Sequence, residues 1–297
     1  MTALPAVFAG LDRRMPVLIA GPTGSGKSAL ALRLAESQGG VIVNADALQV
    51  YAEWRILTAR PTAAETARAP HALYGHVSRD EAYSTGHWLR EVGTLLRGAE
   101  RPILVGGTGL YFSALTMGLA EIPPVPAEIR AAASQLSAQD LRTGIDAETR
   151  ARIDTANPAR LRRAWEVLQA TGRGIAAWQD ATPPPLLPRN NALCVAIDTP
   201  KDRLIPRLEA RFDAMLAAGA LDEVSANLAG FDPDRPGDRA IGAAELAAVL
   251  RGETSLPAAR EAAIIATRRY AKRQRTWLRA RMADWTRLPM EAARGTD

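Results

Sequence analysis

The stretch Gly21-Pro22-Thr23-Gly24-Ser25-Gly26-Lys27-Ser28 constrains this chain more than any other part of its 297 residues. It fits the phosphate-binding loop pattern, and its flanks are those that such a loop requires. Pro16-Val17-Leu18-Ile19-Ala20 before it is an apolar run of buried-strand length, and Ala29 to Glu36 after it is rich in the helix formers Ala and Leu. Strand, glycine-rich turn and helix in that order let successive backbone N–H groups curl around an anion at the positive end of a new helix. Lys27 adds a mobile cation and Ser28 a hydroxyl suited to Mg²⁺. The expectation is a phosphate or pyrophosphate held by Gly21, Thr23, Gly24, Ser25, Gly26, Lys27 and Ser28.

The loop alone leaves the chemistry open, because hydrolases, kinases and other transferases all use it. An NTPase or kinase usually adds a Mg²⁺-binding Asp at the end of a second apolar strand. The candidate strand here, Pro102-Ile103-Leu104-Val105, runs into Gly106-Gly107-Thr108-Gly109 with no carboxylate. That lowers the expectation of ATP hydrolysis.

Apolar residues make up 47% of the chain and charged residues 23%, the balance of a globular protein with an ample core. No apolar stretch reaches the length of a membrane span, and Asp12, Arg13 and Arg14 follow too early for a signal peptide. One cysteine, Cys194, excludes an internal disulfide and fits a reducing cytoplasm; its strand-like surroundings predict a buried thiol. His71, His76 and His87 have no metal-ligand spacing. A net charge of +5 points toward a polyanionic partner. Against 34 arginines there are only three lysines, so the lysine retained in the loop supports a need for it there.

Strand candidates at 16–20, 41–44, 102–105 and 192–197 alternate with helical stretches, which predicts an α/β fold. The expected architecture is a mainly parallel sheet of the P-loop type, flanked by helices and carrying a helical insertion domain. Proline clusters at 123–126 and 183–188 bracket the insertion, read as residues 120–189, with the core at 1–119 and 190–297. Inside it the clearest helix starts at Asn157 (cap) and Pro158 and ends near Thr171-Gly172, with Leu161, Trp165 and Leu168 at helical spacing.

After residue 200 the pattern is helical, with Gly219 ending a first helix and a long helix expected from about Pro257 to Met282. Arg268, Lys272, Arg275 and Arg279 form a stripe along the latter, and no acid lies between them. Such a stripe repels itself, and a phosphate backbone accounts for it better than solvent does. Tyr270 and Trp277 are expected to pack this helix onto the core.

Taken together, these motifs resemble tRNA dimethylallyltransferases, the bacterial isopentenyltransferases of anticodon loops. The resemblance runs from the loop through Asp46-Ala47-Leu48-Gln49-Val50-Tyr51, Thr58-Ala59-Arg60-Pro61 and Ala82-Tyr83-Ser84. It continues through Gly106 to Tyr111, Arg160-Leu161-x-Arg163-Ala164 and the segment Ala271 to Arg279, in the expected order over some 250 residues. It implies that the loop holds dimethylallyl diphosphate, with Mg²⁺ as cofactor. The acceptor is the exocyclic amine of the adenosine at position 37, just 3′ of the anticodon of tRNA. Asp46 then accepts the amine proton, Thr108 donates toward the diphosphate, and Arg239 neutralises the leaving group. The tRNA contacts implied are Asp46, Ala47, Leu48, Gln49, Thr108, Arg130, Arg160, Arg163, Arg239, Gly242, Lys272, Arg273, Gln274, Arg275, Thr276, Trp277 and Arg279. A cytoplasmic monomer is expected, without a membrane.

The sequence departs from the family pattern at Ala47, where Ser is usual, and at Ala243 and Ala244, where Tyr and a basic residue are usual. Three other readings stay open from residues alone: a P-loop small-molecule kinase, an isopentenyltransferase of free adenine nucleotides, and a non-catalytic RNA-binding protein.

Overall fold

A computed structural model describes residues 4–294, which divide into two compact units: one runs to Thr116 and resumes at Leu187, the other spans Met117–Leu186. The first is built on a sheet of six strands, β1 Val17–Ala20, β2 Val41–Asn44, β3 His71–Ala72, β4 Pro102–Gly106, β5 Leu193–Asp198 and β6 Thr286–Pro289. Their order is β3-β2-β4-β1-β5-β6, and every neighbouring pair is parallel. The four expected strands are all present. The two edge strands, β3 and β6, were not expected: one has only two residues, and the other is polar and ends in a proline.

Because successive strand residues point to opposite faces, the apolar runs fill two cores at once. Val17, Ile19, Ile103 and Val105 pack on one face against Leu30 and Leu34 of helix α1 (Lys27–Gln38). The first unit continues with α2 (Ala63–Arg68), α3 (Thr85–Leu96) and α4 (Gly109–Met117). On the other face Leu18, Leu104 and Cys194 meet Trp88 of α3 and Phe112 of α4. Cys194 is buried, as expected, and burial pushes its thiol up to about 11.

The turn after β2 is fixed by a fully buried amide. Asn44 Oδ1 accepts from the Asp46 N–H at 2.8 Å, while its Nδ2 donates to the carbonyls of Asp46 and Leu73, both at 3.0 Å. Trp88 Nε1 donates to the Asn44 carbonyl at 2.7 Å, and its ring stacks on Tyr111 with centroids 4.5 Å apart. All the hydrogen-bonding groups of Asn44 are thereby used, as burial of an amide requires.

The second unit contains α5 (Ala127–Gln135), α6 (Ala138–Thr143), α7 (Ala147–Arg152), α8 (Pro158–Thr171) and α9 (Ile175–Asp180) around Ala133, Leu141, Ile145, Leu161 and Ala164. Helix α8 begins and ends where its capping residues dictate: Asn157 Oδ1 accepts from the N–H groups of Ala159 and Arg160, and Gly172 takes φ 66°. Its buried stripe is Leu161, Ala164 and Val167; Trp165 is only partly buried and covers Gly144 instead.

In the first unit the chain returns as α10 (Lys201–Ala217), α11 (Ala220–Asn227), α12 (Ala243–Leu250), α13 (Leu256–Arg281) and α14 (Met290–Arg294). Gly219 separates α10 from α11 in a left-handed conformation, φ 96°.

The close approach of β4 to the turn after β2 sets a steric limit. A Cβ on Gly106 would collide with the Ala45 carbonyl, which is backbone and cannot rotate away. Gly106→Ala is therefore expected to lower stability by about 3 kcal/mol, read from the urea midpoint at unchanged m-value. A midpoint equal to wild type would show that this approach is not tight.

Candidate active site

The phosphate loop leaves β1 at a point flanked by the C-terminal ends of β4 and β5. Gly24 and Gly26 take φ values of 79° and 91°, a region that favours glycine. Side chains are also excluded by space, since a Cβ on Gly21 would lie 2.6 Å from Ser25 Oγ and one on Gly24 2.8 Å from Leu208 of α10. The Ser25 N–H is held by the Pro22 carbonyl at 3.1 Å and the Thr23 N–H by Gln274 Oε1 at 2.9 Å. Helix α1 starts at Lys27, so its first-turn N–H groups have no intrahelical partner and face the loop's concavity. Ser28 is exposed in that first turn.

Lys27 lies partly buried in a cavity with Asp46 and Arg211. Burial lowers its pKa to about 8, Asp46 opposing the shift and Arg211 adding to it. Burial also lowers the pKa of Arg211, again against the pull of Asp46 and with a further push from Arg207. Two half-buried cations thus face one carboxylate, and an anion entering here would relieve both of them.

The rest of the lining is mixed. Leu57, Leu208, Phe212, Met215 and Ile241 supply apolar surface, and Thr23, Gln49 and Tyr270 supply polar groups. Leu57 is delivered by a loop that Glu223 of α11 holds: its carboxylate accepts from the N–H groups of Arg55, Ile56 and Leu57 at 2.7, 2.8 and 3.0 Å. Gln49 Nε2 donates to the carbonyls of Thr58 and Ala59 at 2.8 and 3.0 Å, the latter residue at φ 50°. A buried cluster fixes the segment before Ile241. Arg79 meets Asp238 at 3.3 Å and lies over the Trp54 ring, and Trp54 Nε1 donates to the Gly237 carbonyl at 2.9 Å. Gly242, at φ 99°, presses so closely on Phe212 that a Cβ would lie 2.9 Å from the ring.

Thr108 adjoins the cavity. Its hydroxyl accepts from the Ala47 N–H at 2.9 Å and meets the Tyr270 hydroxyl. Asp46, 9% exposed, accepts from the Leu48 N–H through Oδ1 at 3.0 Å, and Leu48 lines the cavity.

Several residues stand elsewhere than the sequence led us to expect. Arg239 is exposed, does not line this cavity, and donates to the Asp234 carbonyl at 2.7 Å. Arg211 is the arginine beside Lys27; sequence reasoning missed it because it sits in an ordinary amphipathic helix. Gln274 is not available on the surface but 5% exposed, facing the loop. Tyr270 lines the cavity rather than packing the core, whereas Trp277 does pack, against Gly109.

On α13, Arg268, Lys272, Arg273, Thr276 and Arg279 are exposed and Arg275 partly so. Lys201, Arg268, Lys272, Arg275 and Arg279 edge a groove between α10 and α13 floored by Leu204 and Ile205. In the second unit Arg130, Arg160 and Arg163 are exposed, Arg163 lying 3.9 Å from Glu166.

Among the described residues no three His, Cys, Asp or Glu side chains gather to hold a metal ion. Mg²⁺ does not need such a cage, for it keeps several waters and takes one or two protein oxygens plus phosphate oxygens. The exposed Ser28 hydroxyl beside the loop fits that requirement.

A parallel sheet with a phosphate loop at the end of β1, beside a cavity that combines two cations, one carboxylate and apolar lining, fits the class of P-loop group-transfer proteins. Comparison with known proteins narrows the class. The IPP transferase family profile matches residues 49–281, and that of the isopentenyl transferases matches residues 15–72. The tRNA dimethylallyltransferase of Dinoroseobacter shibae is 62% identical over 95% of this chain and 97% of its own length. That of Paracoccus denitrificans is 56% identical over 96% and 98%. Among solved structures, a tRNA isopentenylpyrophosphate transferase from Bacillus halodurans superposes with a TM-score of 0.66 at 29% identity, covering 94% of this chain and 90% of its own. A eukaryotic dimethylallyltransferase acting on tRNA shares the fold at a TM-score of 0.80 and 24% identity, covering 93% of this chain and 74% of its own. The chain belongs to the IPP transferase family. Among the described residues no helix is long and apolar enough to cross a membrane.

The depressed Lys27 pKa gives the site a pH signature. Below pH 8 the ammonium is protonated and available to an anion; above it, that charge is lost. Pyrophosphate affinity measured by calorimetry should fall roughly tenfold between pH 7 and 9 beyond any change seen with Lys27→Met. Parallel pH profiles for wild type and Lys27→Met would contradict this.

Proposed function

We propose that this chain, as a tRNA dimethylallyltransferase, moves the dimethylallyl group of dimethylallyl diphosphate to the exocyclic amine of adenosine 37 in tRNA, releasing pyrophosphate. The observation that carries this reading is one cavity in which Lys27 and Arg211 face Asp46 beside an apolar wall of Leu57, Phe212 and Met215.

In this reading the loop's N–H groups, Lys27 and Arg211 hold the diphosphate, and the five-carbon tail lies against the apolar residues. The adenine amine approaches Asp46, which accepts its hydrogen bond and orients its lone pair toward the allylic carbon. As the new C–N bond forms, the C–O bond breaks, its electron pair leaves with pyrophosphate, and the amine proton passes to Asp46. The two cations stabilise the charge that grows on the leaving group, a role the geometry supports for Arg211 rather than Arg239. Mg²⁺, held at Ser28 and by the diphosphate, would offset further negative charge.

The acceptor base must leave its stack to reach a cavity of this kind. The α13 stripe and the arginines Arg130, Arg160 and Arg163 are suited to the phosphates of an anticodon stem-loop, which would hold the RNA while the base is extracted.

The test is mass spectrometry of undermodified tRNA incubated with the protein, dimethylallyl diphosphate and Mg²⁺. One prenyl group should appear on the adenosine 3′ of the anticodon. Asp46→Ala should lower the rate about 10²–10⁴-fold and Arg211→Ala about 10²–10³-fold, with Arg239→Ala changing it much less. Prenylation of free adenine nucleotides in place of tRNA, or full activity in Asp46→Ala, would overturn the reading.

A further inference from the structure

Helix α13 carries the basic stripe on its outer side and two polar side chains, Tyr270 and Gln274, on its inner side. Both point at the reaction site from a helix some 250 residues beyond the phosphate loop. Gln274 is 5% exposed, a costly place for a carboxamide unless it is bonded. Its Oε1 takes the Thr23 N–H at 2.9 Å, and its Nε2 lies so close to Gly107 that a Cβ there would strike it. The Tyr270 hydroxyl stands between the Gln274 carboxamide and the Thr108 hydroxyl, which in turn accepts from the Ala47 N–H at 2.9 Å. Polar groups of Gln274, Tyr270 and Thr108 thus lie in succession between the phosphate loop and the residue after Asp46, bonded at the two ends by the Thr23 and Ala47 N–H groups.

We propose that Gln274 and Tyr270 are positioning residues that set the distance between the diphosphate loop and the Asp46–Thr108 segment. Gln274 fixes the loop from outside, leaving the N–H groups of Gly24, Gly26, Lys27 and Ser28 for the anion. Tyr270 fixes the Thr108 hydroxyl. Gln274 is enclosed rather than presented on the surface: its Oε1 takes the Thr23 N–H, and its Nε2, buried beside Gly107, has no hydrogen-bond partner among the described residues. Because both residues belong to α13, the helix suited to grip the RNA also sets the geometry of the donor site. An apolar side chain of similar volume would pack between Gly107 and the loop equally well, so the carboxamide calls for a reason beyond packing. The loop's stranded N–H supplies one.

The proposal rests on the transferase reading, so its test has an arm that does not. Gln274→Met keeps the volume and removes both polar ends. Calorimetry with inorganic pyrophosphate should show about tenfold weaker binding, since the Thr23 N–H is left unpaired. In steady-state transfer assays with tRNA, the same variant should raise KM for dimethylallyl diphosphate and leave KM for tRNA unchanged. Tyr270→Phe, which removes one oxygen, should lower kcat about tenfold at wild-type pyrophosphate affinity. A role confined to packing would lower the melting temperature without this division between KM and kcat. Wild-type pyrophosphate binding by Gln274→Met, or a rise in KM for tRNA alone, would overturn the proposal. Absence of any transfer by the wild-type protein would instead remove the transferase reading, and pyrophosphate binding would still decide the role of Gln274.

Discussion

The parallel pairing of β2, β4 and β1 is what the site depends on. Parallel strands present their C-terminal ends at one edge, and here those ends carry Asp46, Gly106-Gly107-Thr108 and the phosphate loop respectively. Three segments far apart in sequence thus meet without any of them having to cross the sheet. Glycine at 106 and 107 lets them meet closely: Ala45 occupies the space a side chain at 106 would need, and Gln274 the space at 107. The missing carboxylate after β4 follows from the same crowding. The strand ends in glycines because a neighbour stands where a side chain would be.

On that edge the electrostatics are set by burial. Lys27 and Arg211 both lose affinity for their protons because burial disfavours their charged forms, and Asp46 offsets only part of that loss. The cavity holds more positive charge than its own carboxylate can balance. An anion bound there would balance that charge.

Much of this was legible in the sequence because it is local. The loop, β1, β2, β4, β5 and the caps of α8 are each written in a few adjacent residues. The edge strands were not: His71–Ala72 is two residues long, and Thr286–Pro289 pairs through its backbone without an apolar pattern. Arg211 and Arg239 show why site reading is harder. Arg239 stands in a short motif that draws notice, yet it is exposed outside the cavity, with Nη2 donating to the Asp234 carbonyl. Arg211 is one of many arginines, and only the packing of α10 against the loop, with Leu208 on Gly24, turns it into the cavity. The resemblance pointed to Gln274 as an RNA contact; that it lies on the buried face of α13, between Ala271 and Leu278, and turns toward the loop could not be read from the short motif.

The central claim is that this loop is shaped for a prenyl diphosphate and not for a nucleoside triphosphate. Side-by-side calorimetric titration of the protein with dimethylallyl diphosphate and with ATP, each with Mg²⁺, tests it most directly. Binding of dimethylallyl diphosphate about tenfold tighter than ATP, or more, is the expected result. Tighter binding of ATP, with its hydrolysis when tRNA is added, would contradict the claim.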